Sequence, residues 1–336
     1  VEVAKGFSWP FGEKAIVQQK VNLGLRKHVL SQGKLLDKYD AIIVLEDDIT
    51  VAPDFWHYTK SAVCKYQDNM DIAGVSLYSF AVNYHKRHPF TPIHRGDDVY
   101  FMNCAMSWGQ VWMRKQWRAF EEWYEKHQEF PYMPHLPKSI CSWSEKSWLK
   151  YHTRYCIEEN KYFVFPYVSY STNMNDTGTH IQDRDSIFQV PLLHGKISNL
   201  RLPDWNEEVV KYDGFFENKQ LYNALKIKEE ECCLDLNGIN GNALHKRYWL
   251  TTKILPYKVI KSFDYSFRPM EANILNHVEG TGIYLYDTHT SSKKPTEPGN
   301  PTFLANHFIQ NSFLFLREYG FKNALHDFIH LIKKSH

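Results

Sequence analysis

The stretch YDAIIVLEDDITVAPDFW, residues 39–56, decides how the chain is read. Five apolar residues, Ala41 to Leu45, run straight into three carboxylates, Glu46, Asp47 and Asp48. The apolar run is short and rich in β-branched residues, the mark of a buried strand rather than a helix. Adjacent like charges repel, and folding alone gives no reason to gather three of them at one strand end. In open α/β sheets ligands collect outside the carboxyl ends of the strands, so the triplet would project into that crevice. A hard divalent cation, Mg2+ or Mn2+, relieves the repulsion best, since such ions bind through one or two carboxylates plus the phosphates of a substrate. A solvated acidic turn, with Asp54 capping the helix that starts near Pro53, is the plainer account of the same residues.

Outward from this stretch, strand and helix signals alternate. DFWHYTKSAVCKYQ (54–67) places Phe55, Tyr58, Ala62 and Tyr66 at helical spacing, and DIAGVSLYS (71–79) reads as a strand. VYFMNCAMSWGQVW (99–112) is apolar with small residues, and the amphipathic helix RKQWRAFEEWYEKHQEF (114–130) follows it. KYFVFPYVSYS (161–171) is a strand interrupted by Pro166. The alternation predicts an α/β domain with a largely parallel sheet over 1–195. From 196 to 336 the texture changes to a mixed α+β extension, in which GTGIYLYDTHT (280–290) reads as a strand and SSKKPTEPGNPT (291–302) as a loop. The last stretch, NSFLFLREYGFKNALHDFIHLIKKSH (311–336), carries an apolar helical stripe, expected to dock on the protein or to lie against a membrane surface.

Composition narrows the classes. A net charge of +2 argues against a nucleic-acid specialist. Aromatics at 15% suit sugar faces and core packing equally well. The six cysteines form no CxxC pair, which favours a reducing compartment over a disulfide scaffold or a zinc site. His85, His88 and His94 lack acids or cysteines at ligand spacing, and a polar loop is the expectation there. No run of about 18 apolar residues exists and no signal peptide is visible. A cytoplasmic protein follows from these signs, at most peripheral to the inner face of a membrane through its C-terminal helix.

On IIVLEDDITVAPDFW the chain resembles the strand and metal-binding turn of GT-A fold glycosyltransferases. The resemblance runs closest to bacterial family-2-like sugar transferases and to the Golgi N-acetylglucosaminyltransferase I group, whose variant of the DxD motif is EDD. It implies a Rossmann-like, mostly parallel sheet flanked by helices. It also implies that Asp48 holds the metal directly, with Glu46 and Asp47 against the ribose and phosphates of a nucleotide-diphospho-sugar, a UDP-sugar by preference. In VNLGLRKHVL (21–30) Arg26 and Lys27 are then donor-binding candidates, with a plain surface helix the equal alternative. SWGQVW (107–112) resembles the turn that bounds donor sugar and acceptor. There Gly109 would allow close approach, and Trp108 would stack on a sugar face or, with equal weight, pack in the core. In CSWSEKSWLKYH (141–152) Glu145, flanked by Trp143 and Trp148, stands where the family places its base, more often an Asp. An exposed helix Glu paired with a Lys competes with that role. In TNMNDTGTH (172–180) His180 is the candidate to complete the metal site or touch the diphosphate, and Asp176 the alternative acid.

A GT-A domain normally opens with a strand and helix that hold the base, whereas about 20 residues precede NLGL here. The N-terminal part of the nucleotide-binding half is therefore expected to be missing from this sequence or degenerate. The activity implied is metal-dependent, inverting transfer of a sugar to a glycan or lipid-linked saccharide, in surface polysaccharide synthesis. A sugar nucleotidyltransferase would want a Gly-rich basic phosphate loop near the N-terminus, which is not visible. A non-catalytic carbohydrate-binding module would leave the three carboxylates unexplained.

Overall fold

The computed structural model describes residues 1–174, 187–206, 208–241 and 245–293. The expectations placed on Asp176, His180 and the helix over 311–336 fall outside these residues. Contacts divide the chain into two units, Val1–Lys219 and Gln220–His336.

The first unit opens with two short helices, α1 (Glu2–Gly6) and α2 (Leu25–Ser31), followed by a 3-10 turn at Gln32–Asp37. The chain then enters β1 (Ala41–Val44), turns into β2 (Ile49–Val51), forms α3 (Phe55–Tyr66) and returns in β3 (Ile72–Ser76). A small ribbon of β4 (Val82–Asn83) and β5 (His88–Pro89) precedes β6 (Val99–Met102) and β7 (Gln110–Met113). Three helices follow, α4 (Arg114–Lys126), α5 (Lys138–Cys141) and α6 (Leu149–Glu158), then β8 (Tyr162–Pro166), β9 (Ser171–Asn173) and β10 (Lys211–Tyr212).

Six strands make the main sheet, in the order β1-β7-β3-β8-β6-β10. The α/β expectation holds, with a mixed sheet. Strands β1, β3 and β8 share one direction, while β7, β6 and β10 run against them. Strands β3, β6, β7 and β8 are buried throughout. A strand buried on both faces lacks the alternation that would betray an antiparallel partner, so its direction is silent in the sequence.

Helices cover both faces. On one, Tyr58, Ala62 and Tyr66 of α3 pack against Val75, Val111 and Val164, the helical stripe that the sequence predicts. On the other, Trp117, Phe120 and Trp123 of α4 and Tyr155 of α6 close over Trp112, Phe163 and Phe165. The indoles of Trp112 and Trp117 stack with centroids 3.7 Å apart. Burial of such rings is the main driving force for this unit, at roughly 25 cal/mol per Å2 of apolar surface removed from water.

Strand β10 lies beside β6, so residues 211–212 belong to the first sheet, later in the chain than the change of texture near 195. A two-residue strand leaves no periodic signal. The second unit holds α7 (Gln220–Leu225), β11 (Cys232–Asp235), β12 (Tyr248–Thr251), β13 (Tyr257–Phe263), α8 (Glu271–Leu275) and β14 (Ile283–Ser291). Its sheet runs β11-β12-β14-β13 around Leu221, Leu234, Leu250, Ile274 and Leu285, a mixed α+β arrangement in which GIYLYD falls on β14. All six cysteines are free thiols. Among the described residues no helix is long and apolar enough to cross a membrane.

Candidate functional site

The acidic triplet sits where β1 ends. Asp47 and Asp48 form the turn into β2, closed by the Ile49 N–H donating to the Glu46 carbonyl at 3.2 Å. Strand β2 pairs antiparallel with β9, Ile49 facing Asn173, and the Met174 N–H donates to the Asp48 carbonyl at 2.6 Å. The backbone of the turn is thus fixed from two sides.

Gly109 ties this turn to the sheet. Its φ of +87° is a conformation that side chains rarely adopt, and a Cβ there would meet Ser171 Oγ at 3.0 Å and Leu45 Cδ2 at 3.3 Å. The close approach expected at this glycine is therefore made, in this structure, by the chain itself. Ser171 Oγ donates to the Trp108 carbonyl at 2.5 Å, and the Leu77 N–H to the Gly109 carbonyl at 2.9 Å. The ends of β1, β3, β7 and β9 meet at this point. The Trp108 ring is half-buried and stands edge-on to Tyr78, with centroids 4.9 Å apart, beside Phe188.

Electrostatically the turn gathers three carboxylates within three residues. Glu46 is pushed up to about 7, by burial first and then by Asp48 and Asp47. Among the described residues no lysine, arginine or histidine forms an ion pair with any of the three carboxylates. Asp48 Oδ1 is buried and has no hydrogen-bond partner. Nor do the described residues hold a group of three or more His, Cys, Asp or Glu side chains set to bind a metal among themselves. A hard cation can be held by one or two carboxylates with the remaining positions left to water or phosphate. Asp48, with a buried oxygen in need of a partner, fits that role.

Arg26 and Glu145 are brought together around Tyr151. The Arg26 guanidinium donates to the Tyr151 hydroxyl at 2.7 Å and lies over its ring. Glu145 Oε2 is 3.4 Å from the same hydroxyl, and Glu145 Oε1 accepts from Lys150 Nζ at 2.9 Å. Lys150 is fully buried, whereas the Glu145 side chain is 70% exposed. The hydrogen bond from Lys150 is the first cause holding the Glu145 carboxyl below its ordinary range, and the charges of Lys150 and Arg26 add to it. Lys27 is exposed on α2. No hydrogen bond or ion pair joins this cluster to the acidic turn among the described residues.

The histidines of the 85–94 segment have other work. His85 is bonded through Nδ1 to the Ser139 hydroxyl and through Nε2 to the Gly214 carbonyl at 2.8 Å, and burial lowers it to about 4. His88 is exposed, and His94 lies against Tyr167.

Sequence reasoning passes over four residues that the structure brings forward. Lys150 and Tyr151 fall inside the window quoted for Glu145, but their burial around it is invisible in a linear pattern. Gln110 and Asn173 fall inside SWGQVW and TNMNDTGTH, and both are buried carboxamides flanking the turn. No protein-family model matches the chain, and no curated protein matches it.

Proposed function

We propose that the chain is a metal-dependent glycosyltransferase moving a sugar from a nucleotide-diphospho-sugar to a hydroxyl of a glycan or lipid-linked saccharide, with inversion. The observation that carries this reading is the acidic turn: three carboxylates at one strand end, no cationic side chain paired with them among the described residues, and a buried, unpartnered oxygen on Asp48. Such a site is incomplete without a cation. The resemblance of IIVLEDDITVAPDFW to the metal-binding turn of GT-A enzymes supplies the substrate class.

Asp48 would hold Mn2+ or Mg2+, with Glu46 and Asp47 toward the ribose and phosphates. Bound there, the cation would offset the charge that develops on a departing diphosphate. The acceptor hydroxyl needs a base as it attacks, and Glu145 is the acid assigned to it. Trp108 and Gly109 bound the site on the β7 side.

The decisive experiment is a screen of UDP-sugars with Mn2+, reading hydrolysis and thermal stabilisation, since a ligand that binds only the folded state raises Tm. Wild-type protein is expected to show both. Asp48→Ala is expected to lose both while keeping its ligand-free Tm. Full turnover in excess EDTA would remove the metal from the mechanism.

A further inference from the structure

Around Gly109 the unpartnered polar groups extend beyond the acidic turn. Gln110 and Asn173 are sealed from solvent, at 0% exposure, and neither the oxygen nor the nitrogen of either carboxamide has a hydrogen-bond partner. Among the described residues they are the two carboxamides with both polar atoms in that state. Leaving a buried donor and acceptor unmade costs stability, and a fold that keeps two such amides side by side with its acidic turn gains something else from them.

Their placement is specific. Gln110 follows Gly109 directly and faces Val44 of β1 on one side and Ser76 of β3 on the other. Val44 is two residues before Glu46. Asn173 faces Ile49, the residue after Asp48, and its neighbour Met174 holds the Asp48 carbonyl. Both amides therefore lie within two register positions of the triplet, on the strands that meet at Gly109. They are neutral, and add nothing to the repulsion among the acids.

We infer that Gln110 and Asn173 are ligand-reading residues of the acidic-turn site, taking hydrogen bonds with the hydroxyl groups of the ligand's sugar or ribose. The inference rests on the glycosyltransferase reading and adds to it the part of the donor that these residues recognise. A carboxamide presents an acceptor and two donors together, whereas a phosphate only accepts. A hydroxyl both donates and accepts, so a sugar or ribose hydroxyl can satisfy the oxygen and the nitrogen of an amide alike. Because both amides are covered in the ligand-free chain, binding includes uncovering them.

An internal water bonded to each amide is the competing account, and near-isosteric apolar substitutions separate the two. Asn173→Leu and Gln110→Met are expected to raise the ligand-free Tm, because an amide without a partner is relieved by an apolar group of similar shape. Titration with Mn2+ plus UDP, which carries ribose hydroxyls, is expected to show binding about tenfold weaker in each variant. Titration with Mn2+ plus inorganic pyrophosphate is expected to match wild type. Asn173→Ser, which removes the amide without adding apolar volume, gives the same binding result if the leucine variant does not fold. A fall in ligand-free Tm for both apolar variants would mean that the amides already have partners and would overturn the inference. Unchanged UDP binding, or equal weakening toward both probes, overturns it as well. Wild-type protein that binds neither probe defeats the functional reading itself, a result distinct from any variant effect.

Discussion

Lys150 shows how one buried charge shapes its surroundings. Its Nζ lies 4.2 Å from the centroid of the Phe130 ring, donates to the Trp143 carbonyl at 2.9 Å, and pairs with the Glu145 carboxylate. Burying an ammonium is costly unless it is paired and hydrogen-bonded, and this set of contacts offsets the cost. The same pairing holds the Glu145 carboxyl below its ordinary range, which makes it a weaker base than a free carboxylate. Glu145→Gln keeps an oxygen for Lys150 but removes the charge. Because the buried Lys150 charge loses its carboxylate, a loss of stability is expected, read as a drop in Tm. Turnover is expected to disappear while Mn2+–UDP affinity stays within about twofold, since a base acts on the acceptor rather than on donor binding. A variant that loses stability yet transfers sugar at the wild-type rate makes Glu145 the anchor of Lys150 and nothing more.

At the scale of elements, much of the first unit is legible in sequence. The stripe Tyr58, Ala62, Tyr66 gives α3 its buried face, and AIIV gives β1, because period and apolar content are local properties. The directions of β6 and β7 are not local, and neither is the meeting at Gly109, where Ser171 and Trp108 are 63 residues apart. The site is legible in the same measure: the acidic turn announces itself by charge, while Gln110 and Asn173 become notable only through the absence of a partner in three dimensions. Packing between neighbouring strands gives a direct test. A Cβ on Gly74 of β3 would meet Phe163 Cε1 at 2.6 Å, Phe163 Cζ at 2.7 Å and the Val111 carbonyl oxygen at 2.9 Å. Strands on both sides of β3 are in the way, so neither can yield alone. Gly74→Ala is expected to destabilise the first unit by about 1–3 kcal/mol in urea unfolding, whereas Gly195→Ala, which meets nothing within 4 Å, serves as the neutral comparison.

Across the whole molecule, buried titratable groups set the response to acid. His152 stacks on Phe120 with centroids 4.2 Å apart, has no partner at either nitrogen, and is lowered by burial to about 3. His85 is lowered to about 4. Both take up protons near pH 6.5 when unfolded, so the stability they contribute is complete above that pH and is lost as pH falls toward their folded values. Glu46 works in the opposite sense. Its carboxyl is raised to about 7 in the fold, so its contribution is greatest below the ordinary carboxylate range and is lost as pH rises through 7. Between about pH 6.5 and 4.5 the unfolded chain binds two protons on these histidines and the folded chain one on Glu46. The difference predicts that stability falls on acidification through this window. Tm measured from pH 7 to pH 5 is expected to fall, and His152→Phe is expected to flatten the slope. A Tm that climbs over that range contradicts the assignment.

The crowded joint at Gly109 bears on how binding would be felt by the protein. A turn of three carboxylates on a free loop would be mobile, and any ligand would have to immobilise it. Here the turn is held by β9 on one side and by the packing of Leu45 and Ser171 against Gly109 on the other. Its conformational entropy is surrendered when the chain folds, so the backbone of the turn is already in place when a ligand arrives.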